Sequence, residues 1–273
     1  MMDKISVFGS SGFVGDRFCE IYSDSVIRID RNQYKAESKK ILYLISTVHN
    51  YNNLSMDVET NLFVLSKVLE NLDSNAEFSF CSSWFVYGRD VKLPVKESYM
   101  TEFVYGNYSM TKRLAEVLVI AYCKREKIPY RIFRLANVFG KGDKFSKQKN
   151  ALQYLINEMK HDRDIYLYNN GRFYRDYIHV DDVCWMLKFG MDALPVNDIY
   201  NIGSGRKILF LDLIMLAHSV LNSKSEIYEK EPTDFHKQVQ AKDFWMDVTK
   251  AESFGVRCQN SPYEQLVRMI LDD

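Results

Sequence analysis

The stretch Ile5-Ser6-Val7-Phe8-Gly9-Ser10-Ser11-Gly12-Phe13-Val14-Gly15 decides the fold. A run of β-branched and aromatic residues leads into a glycine at every third position, and a helical spacing through Phe13, Phe18 and Ile21 follows. This pattern predicts a strand, a tight turn and a helix whose first N–H groups attract an anion. We predict that this turn binds the pyrophosphate of a dinucleotide, although an ordinary glycine-rich turn between a strand and a helix gives the same pattern. The assigned residues are Gly9, Ser11, Gly12, Phe13, Val14 and Gly15.

Strands and helices alternate along the first half of the chain. Apolar runs follow at Val26 to Asp30, Ile41 to Val48, Phe78 to Cys81 and Tyr130 to Leu135, and helical patterns cover residues 57–72 and 107–125. The alternation predicts an α/β fold with a Rossmann-type, doubly wound parallel sheet. We expect a dinucleotide-binding domain over residues 1–140, to which 176–200 returns, and a small, mainly substrate-binding C-terminal region over 141–273.

Composition narrows the class of protein. Among 273 residues, 36 Lys and Arg balance 36 Asp and Glu, so no basic surplus predicts a nucleic-acid partner. The five cysteines are scattered, which favours reduced thiols in a cytoplasmic protein, and no apolar run is long enough for a membrane span. No metal site is predicted, because His179-Val180-Asp181-Asp182 has no third ligand at a useful spacing. Asp181 or Asp182 is expected to cap the following helix.

Tyr108-Ser109-Met110-Thr111-Lys112 is the sharpest chemical pattern. Positions i and i+4 share one helix face, so we predict that the Lys112 ammonium lowers the pKa of Tyr108 and makes it a general acid or base. A tyrosine and a lysine on the exposed face of a helix, without a catalytic role, would show the same spacing. Ser83 closes the fourth predicted strand, where a hydroxyl points into the ligand crevice of a parallel sheet, although such a serine can also serve only the loop backbone.

Asp30 and Arg31 bear on the choice of cofactor. An acid at the end of the second strand can accept hydrogen bonds from the adenosine ribose, and it would repel a 2′-phosphate. NAD(H) is therefore favoured, while Arg31 beside it leaves NADP(H) open, and a solvated strand-end acid is the plain alternative. Ser46 and Thr47, in the third apolar run, are also assigned to the cofactor site.

Taken together, these segments resemble the extended short-chain dehydrogenase/reductase superfamily, the branch of epimerases, dehydratases and keto-reductases that act on nucleotide sugars. The glycine turn, the strand-end acid, the serine strand and the Tyr-x-x-x-Lys helix occur in the right order. Five further segments carry the likeness and spread it over nearly the whole chain: Val86-Tyr87-Gly88, Arg134 to Gly140, Arg175 to Val183, Tyr200-Asn201-Ile202-Gly203, and Asp247 to Ala251.

The resemblance implies a role for particular residues. Ser83, Tyr108 and Lys112 would be the catalytic three, with Tyr108 and Lys112 also touching the cofactor. Asn61 would lie beside the cofactor. The substrate set would be Ser83, Trp84, Asn137 and Arg175, of which Asn137 and Arg175 would face the diphosphate of the nucleotide sugar. The resemblance also implies a homodimer packed through the helices over 57–72 and 107–125.

Two departures from the family pattern sharpen the prediction. Trp84-Phe85 stands where the 4,6-dehydratases carry an Asp-Glu pair, so dehydratase activity is not expected. Only Arg31 to Lys40 separate the second strand from the next core strand, too short a stretch for the family's intervening helix, strand and helix. The sheet should therefore be shortened, and the adenine end of the cofactor should be more exposed.

An exposed adenine end suits an enzyme that releases its cofactor at every turnover. The sequence thus predicts an NAD(P)H-dependent reductase of a nucleotide-diphosphate-linked 4-keto-sugar of the 4-keto-6-deoxyhexose type, with Tyr108 as proton donor. An NAD-dependent nucleotide-sugar 4-epimerase remains an alternative. A dinucleotide-binding sensor without catalysis is the alternative from another class, although it has no use for Tyr108, Lys112 and Ser83 together.

Overall fold

The computed structural model describes residues 4–47, 53–88, 91–101, 104–142, 151–232 and 242–272. Its centre is a parallel sheet of six strands. In chain order these are β1 (Ile5–Phe8), β2 (Val26–Arg28), β3 (Lys40–Tyr43), β4 (Glu77–Ser83), β5 (Tyr130–Leu135) and β10 (Asp198–Ile202). Their spatial order is β10-β5-β4-β3-β1-β2, which confirms the predicted doubly wound α/β fold.

Helices cover both faces of this sheet. On one face α1 (Phe13–Ile21) packs against α6 (Val180–Ala193), and on the other lie α2 (Leu54–Val58), α3 (Val64–Glu70) and α4 (Asn107–Glu126). A π-helical turn at Glu59–Phe63 joins α2 to α3, so residues 54–70 form one helix that begins three residues before the predicted 57. β3 is shorter than the predicted Ile41 to Val48, and Val48 itself lies outside the described residues.

The sheet ends at β2. Residues 29–39 form no helix or strand, so no further strand extends the sheet beyond β2 in the described chain. The crossing segment is fastened to β1, since Glu37 N donates to Ser6 Oγ at 2.9 Å and Ser38 Oγ lies 2.8 Å from Ser6 Oγ. The predicted shortening between the second strand and the next core strand is confirmed.

Beyond β5 the chain builds smaller elements around a third apolar core. The strands are β6 (Asn137–Phe139), β7 (Ile165–Tyr168), β8 (Tyr174–Arg175), β9 (Tyr177–His179), β11 (Ile208–Leu209) and β12 (Ile227–Lys230). β7 pairs with β12, β8 with β11 and β6 with β9. Helices α5 (Ala151–Lys160), α7 (Phe210–Leu221), Thr249–Glu252 and Pro262–Leu271 complete the described fold. None of the described helices is long and apolar enough to cross a membrane.

The start of α6 corrects one prediction. His179 caps this helix, because its Nδ1 accepts from Asp181 N at 3.3 Å, whereas Asp181 or Asp182 was expected to be the cap. Both carboxylates have distant partners instead. Asp181 binds Arg17 at 2.6 and 3.1 Å, and Asp182 accepts from Asn260 Nδ2 at 3.1 Å. Within the described ranges, no group of three His, Cys, Asp or Glu side chains is placed to hold a metal ion.

Candidate active site

The glycine turn between β1 and α1 is built for close backbone approach. Gly9 has φ +81°, and a Cβ there would lie 2.9 Å from Ile45 N, so only glycine fits without strain. A Cβ on Gly15 would collide with the Gly9 carbonyl at 2.2 Å, and one on Gly12 would lie 3.3 Å from the same oxygen. No side chain caps α1. The first turn of α1 thus presents uncapped N–H groups, which fit a dinucleotide's pyrophosphate.

Tyr108 lies in the first turn of α4 and faces the carboxyl ends of β3 and β4. Ser46 Oγ donates to its phenol oxygen at 3.5 Å, and Ser83 also hydrogen-bonds to it. Burial raises the pKa of Tyr108 above its usual value, while the two serine hydroxyls act in the opposite direction. The geometry therefore presents a neutral phenol between two hydroxyls, an arrangement that can donate a proton.

The position of Lys112 contradicts the prediction that its ammonium lowers the pKa of Tyr108. It lies one turn further along the same face, but its ammonium donates to the Cys81 carbonyl at 2.8 Å and lies 4.5 Å from the Phe80 ring centroid. The side chain is almost wholly buried, and burial lowers the pKa of Lys112 to about 8. The ammonium is thus held by β4, and it does not lower the pKa of the phenol as expected.

Asn61 lies in the π-helical turn and joins three elements. Its Nδ2 donates to Thr111 Oγ1 at 3.0 Å, and its Oδ1 accepts from Thr47 N at 3.3 Å. Asn61 and Thr47 are both buried. This places Asn61 behind the Ser46–Thr47 segment, where it holds the segment against α4.

Asp30 and Arg31 lie on the open side of the sheet. The strand ends at Arg28, two residues before Asp30, and both predicted residues are exposed. Arg28 reaches the glycine turn instead, since its Nη1 donates to Ser10 O at 2.7 Å and to Asp16 Oδ1 at 2.8 Å. Sequence reasoning missed Arg28, although its position at the end of the second strand, two residues before Asp30, was a usable signal.

A cavity of about 500 Å³ extends from Phe13 and Val14, the first residues of α1, to Tyr108. It brings together many of the predicted residues, namely Phe13, Val14, Ser46, Thr47, Ser83, Trp84, Tyr108, Asn137 and Arg175. Lys112, Asn61, Asp30, Arg31 and the predicted residues Gly9, Ser11, Gly12 and Gly15 do not line it. A concave space with a few converging polar groups is typical of a small-molecule site.

The predicted substrate residues lie on one side of this cavity. Asn137 is half-buried and its Nδ2 donates to the Asp176 carbonyl at 3.0 Å. Arg175 is only 4% exposed, with its guanidinium 4.7 Å from the Trp84 ring centroid. Arg175 is therefore held in place by an aromatic ring at the cavity wall.

Sequence reasoning missed the far wall of the cavity. It comes from α5, β7 and the end of β12, and includes Tyr154, Glu158, Asp164, Tyr166, Tyr168 and Lys230. These residues follow no motif, and β7 meets β12 only through a pairing of segments that are distant in the chain. Nothing local in the sequence marked them as parts of one surface.

The model of the NAD dependent epimerase/dehydratase family matches residues 44–203, more than half of the 273 residues. The chain belongs to this family. The predicted membership of the extended short-chain dehydrogenase/reductase group, and of an NAD(P)-dependent class of enzyme, is thereby confirmed.

The curated relatives include proteins named for each of the two activities, epimerase and reductase, that were considered from the sequence. A putative UDP-glucose 4-epimerase of Methanocaldococcus jannaschii is 26% identical over 68% of this chain and 58% of its own length. A dTDP-4-dehydro-6-deoxyglucose reductase of Escherichia coli is 24% identical over 71% of this chain and 63% of its own length. The chain thus spans about three fifths of the length of these relatives.

Solved structures agree on the fold. A UDP-glucose 4-epimerase of Thermotoga maritima with UDP-glucose has a TM-score of 0.88 at 20% identity, covering 98% of this chain and 97% of that one. RMD of Pseudomonas aeruginosa complexed with NADPH has a TM-score of 0.84 at 19% identity, covering 99% and 98%. The description of the matching family names NAD, which agrees with the prediction that NAD(H) is the favoured cofactor.

Proposed function

We propose that this chain is an NAD(P)H-dependent reductase of a nucleotide-diphosphate-linked 4-keto-sugar. The observation that carries the proposal is the open edge of the sheet at β2, which leaves Asp30 and Arg31 exposed where the adenosine half of a dinucleotide would lie. A reductase must release its oxidised cofactor at every turnover, whereas a 4-epimerase reuses the same cofactor within one cycle. Weak contacts at the adenosine end favour release.

The phenol of Tyr108 can supply the proton that reduction of a ketone needs. Burial raises its pKa above the usual value, which favours the protonated form.

The chain's own residues would divide the work as follows. When bound, the reduced nicotinamide supplies a hydride to the carbonyl carbon. Ser83 donates a hydrogen bond to the carbonyl oxygen, and Tyr108 gives its phenol proton to that oxygen as negative charge develops there. Lys112 holds a positive charge under the site from its place on the Cys81 carbonyl.

A 4-epimerase is the second candidate. It is favoured by the likeness to the Methanocaldococcus jannaschii relative, which is named as a putative UDP-glucose 4-epimerase. A non-catalytic dinucleotide sensor would not need a cavity that places Ser83 beside Tyr108.

Cofactor occupancy tests the proposal. The protein is purified without added dinucleotide and denatured, and any released NAD or NADP is identified by mass and absorbance. We expect substoichiometric cofactor, with NADH or NADPH binding reversibly by calorimetry. Stoichiometric dinucleotide that survives gel filtration would instead favour the epimerase.

A further inference from the structure

We propose that Glu116 is a positioning residue that keeps the Lys112 ammonium charged, and that Arg134 holds the Glu116 carboxylate in place. Glu116 lies one helical turn beyond Lys112, so Tyr108, Lys112 and Glu116 follow one another at i, i+4 and i+8 on one face of α4. The inference rests on the proposed function, in which Lys112 holds a positive charge under the reacting ketone.

The carboxylate of Glu116 is fixed by a bidentate ion pair with Arg134 on β5. Arg134 Nε donates to Glu116 Oε1 at 3.0 Å, and Arg134 Nη2 donates to Glu116 Oε2 at 2.7 Å. Glu116 is 3% exposed and Arg134 is 4% exposed, so the pair lies away from water. Arg134 thus supplies the opposite charge that a buried carboxylate needs, and it fixes both carboxylate oxygens.

Arg134 is itself held by two motifs to which the proposed function gives no role. Its guanidinium lies 4.6 Å from the Tyr87 ring centroid, and its Nη1 donates to the Glu97 carbonyl at 3.1 Å. The Tyr87 hydroxyl donates to Asn201 Oδ1, and Asn201 N donates to Glu97 Oε1 at 3.0 Å. Neither Tyr87 nor Asn201 lines the cavity. The motifs around these two residues therefore contribute to the site by fixing Arg134.

The register of the sheet brings the ion pair close to Lys112. The Lys112 ammonium donates to the carbonyl of Cys81 on β4. Arg134 on β5 is the register partner of Ser82, the next residue along β4. The ammonium and the ion pair therefore lie at the same end of β4, directly before Ser83.

Glu116 is the charged group that stabilises this ammonium. The ionisable side chains facing this part of α4 are Cys81 on β4, Asp57 on α2, Tyr87 on the turn Trp84–Tyr87, Arg134 on β5, and Tyr108 and Glu116 on α4 itself. Among the described residues, Cys81 and Glu116 raise the pKa of Lys112 against the effect of burial. Burial raises the pKa of the Cys81 thiol to about 12, so this thiol is neutral where Lys112 titrates. The carboxylate of Glu116 therefore supplies the stabilising charge.

The titration of Lys112 tests the inference without any sugar. The protein is labelled with ¹³C at lysine Cε, and the Lys112 signal is identified as the one that Lys112→Met removes. Glu116→Gln keeps the shape of the side chain and removes its charge. We expect it to move the midpoint of the Lys112 titration down by about one pH unit, a tenfold loss of proton affinity.

Two further variants are matched to this one. Glu116→Asp keeps a charge and disturbs the geometry of the ion pair, so its midpoint should stay closer to that of wild type. Glu126→Gln removes an exposed carboxylate at the end of α4 and should leave the midpoint unchanged. A midpoint that moves equally in Glu116→Asp and Glu116→Gln would contradict an effect of the charge.

Turnover should follow the same titration. In Glu116→Gln, the fall of kcat/KM for the ketone at high pH should begin about one pH unit lower than in wild type. At lower pH, where the ammonium is charged in both proteins, kcat/KM should match that of wild type. A purely structural role of Glu116 predicts instead an equal loss of kcat/KM at every pH.

A double variant covers the case in which Glu116→Gln fails to fold because Arg134 is left buried and unpaired. Glu116→Gln with Arg134→Met removes both charges, a change that proteins tolerate better than the loss of one partner. Its midpoint should also move down, because Glu116 acts on Lys112 directly. An unchanged Lys112 titration in a folded variant that lacks this carboxylate would overturn the inference. A downward shift in a protein that reduces no keto-sugar would support the role of Glu116 and remove the proposed function alone.

Discussion

Tyr108 shares its phenol oxygen with two serine hydroxyls, from Ser46 and Ser83, and is kept neutral by burial. The phenol can therefore deliver a proton without first taking one up from water. Lys112 contributes a buried positive charge that is hydrogen-bonded to the main chain of β4. The proton donor and the cation are thus separate parts of the site.

Replacing Tyr108 by phenylalanine removes only the phenol oxygen. We expect kcat to fall by about 10²–10⁴, the usual contribution of a general acid, with the Kd for NADH within about twofold of wild type. Steady-state rates and calorimetry measure the two quantities. Tyr122→Phe, on the same helix but away from the cavity, is the matched control and should leave both unchanged. Retention of most activity by Tyr108→Phe would show that another group is the acid.

The pKa of Lys112 predicts a pH limit on activity. Burial lowers this pKa to about 8, so the ammonium loses its proton as the pH rises through that value. We expect log kcat/KM for the ketone to fall above pH 8, because the charge beneath the site disappears. A wild-type profile that stays level up to about pH 10, the ordinary range of lysine, would contradict the role of this cation.

Only part of this arrangement could be predicted from residue spacing. The i, i+4 rule correctly places Tyr108 and Lys112 on one face of α4. It cannot say where a flexible four-carbon side chain directs its ammonium, and the nearest acceptor, the Cys81 carbonyl, belongs to a strand that comes earlier in the chain. The wrong prediction for the pKa of Tyr108 has this cause.

At the scale of elements, a buried carboxylate joins the segments behind the cavity. Asp176 lies between β8 and β9 and accepts from Ser204 N at 2.8 Å, Ser204 Oγ at 2.7 Å and Gly205 N at 3.2 Å. It is wholly buried, and burial raises its pKa to about 6. This carboxylate fixes the loop after β10 against the strand pair that carries Arg175.

Asp176→Ala should lower the free energy of unfolding by about 3 kcal/mol at neutral pH, because buried donors lose their acceptor. Since the folded pKa is raised, the stability that this group adds is fully present below its unfolded pKa of about 4 and is lost as the pH rises through 6. The difference from wild type should therefore be larger at pH 4 than at pH 7 in urea titrations. Ser204→Ala, which removes one hydroxyl donor, should cost about 1 kcal/mol. A difference that grows with pH would refute the assignment.

Regular elements were predictable where their apolar pattern was local. β5 has the bounds that the run Tyr130 to Leu135 predicts, and α4 differs from its prediction by one residue. The far cavity wall was not predictable, because β7 is completed by β12 from a distant part of the chain. The predicted cap of α6 was wrong because the carboxylates of Asp181 and Asp182 bind partners that are remote in sequence. Asp181 binds Arg17, and Asp182 binds Asn260.

At the scale of the whole molecule, the helix over 54–70 and α4 pack together, and each exposes apolar side chains. The most exposed of these are Leu54, Phe63, Leu114 and Val117, at 46%, 53%, 47% and 56%. The homodimer predicted from the sequence uses these two helices, and the same helices of a second copy would cover the side chains in a four-helix bundle.

Light scattering after gel filtration tests this dimer. Wild type should elute as a dimer, and Leu114→Glu with Val117→Glu should shift it to a monomer, because two charges would be buried in the interface. Met215→Glu, at an exposed apolar site on α7, should remain dimeric. A monomeric wild-type protein at all concentrations would exclude this use of the two helices.

The proposal of a reductase rests on the open edge of the sheet at β2. The stoichiometry of the reaction tests that proposal most directly. The protein is mixed with NADH carrying deuterium at the transferred position and with dTDP-4-dehydro-6-deoxyglucose, and both products are quantified by mass spectrometry. A reductase forms one NAD⁺ for each sugar reduced, with deuterium on carbon 4. No oxidation of NADH here, together with interconversion of 4-hydroxy nucleotide sugars such as UDP-glucose in a parallel mixture with NAD⁺, would contradict the account and establish an epimerase.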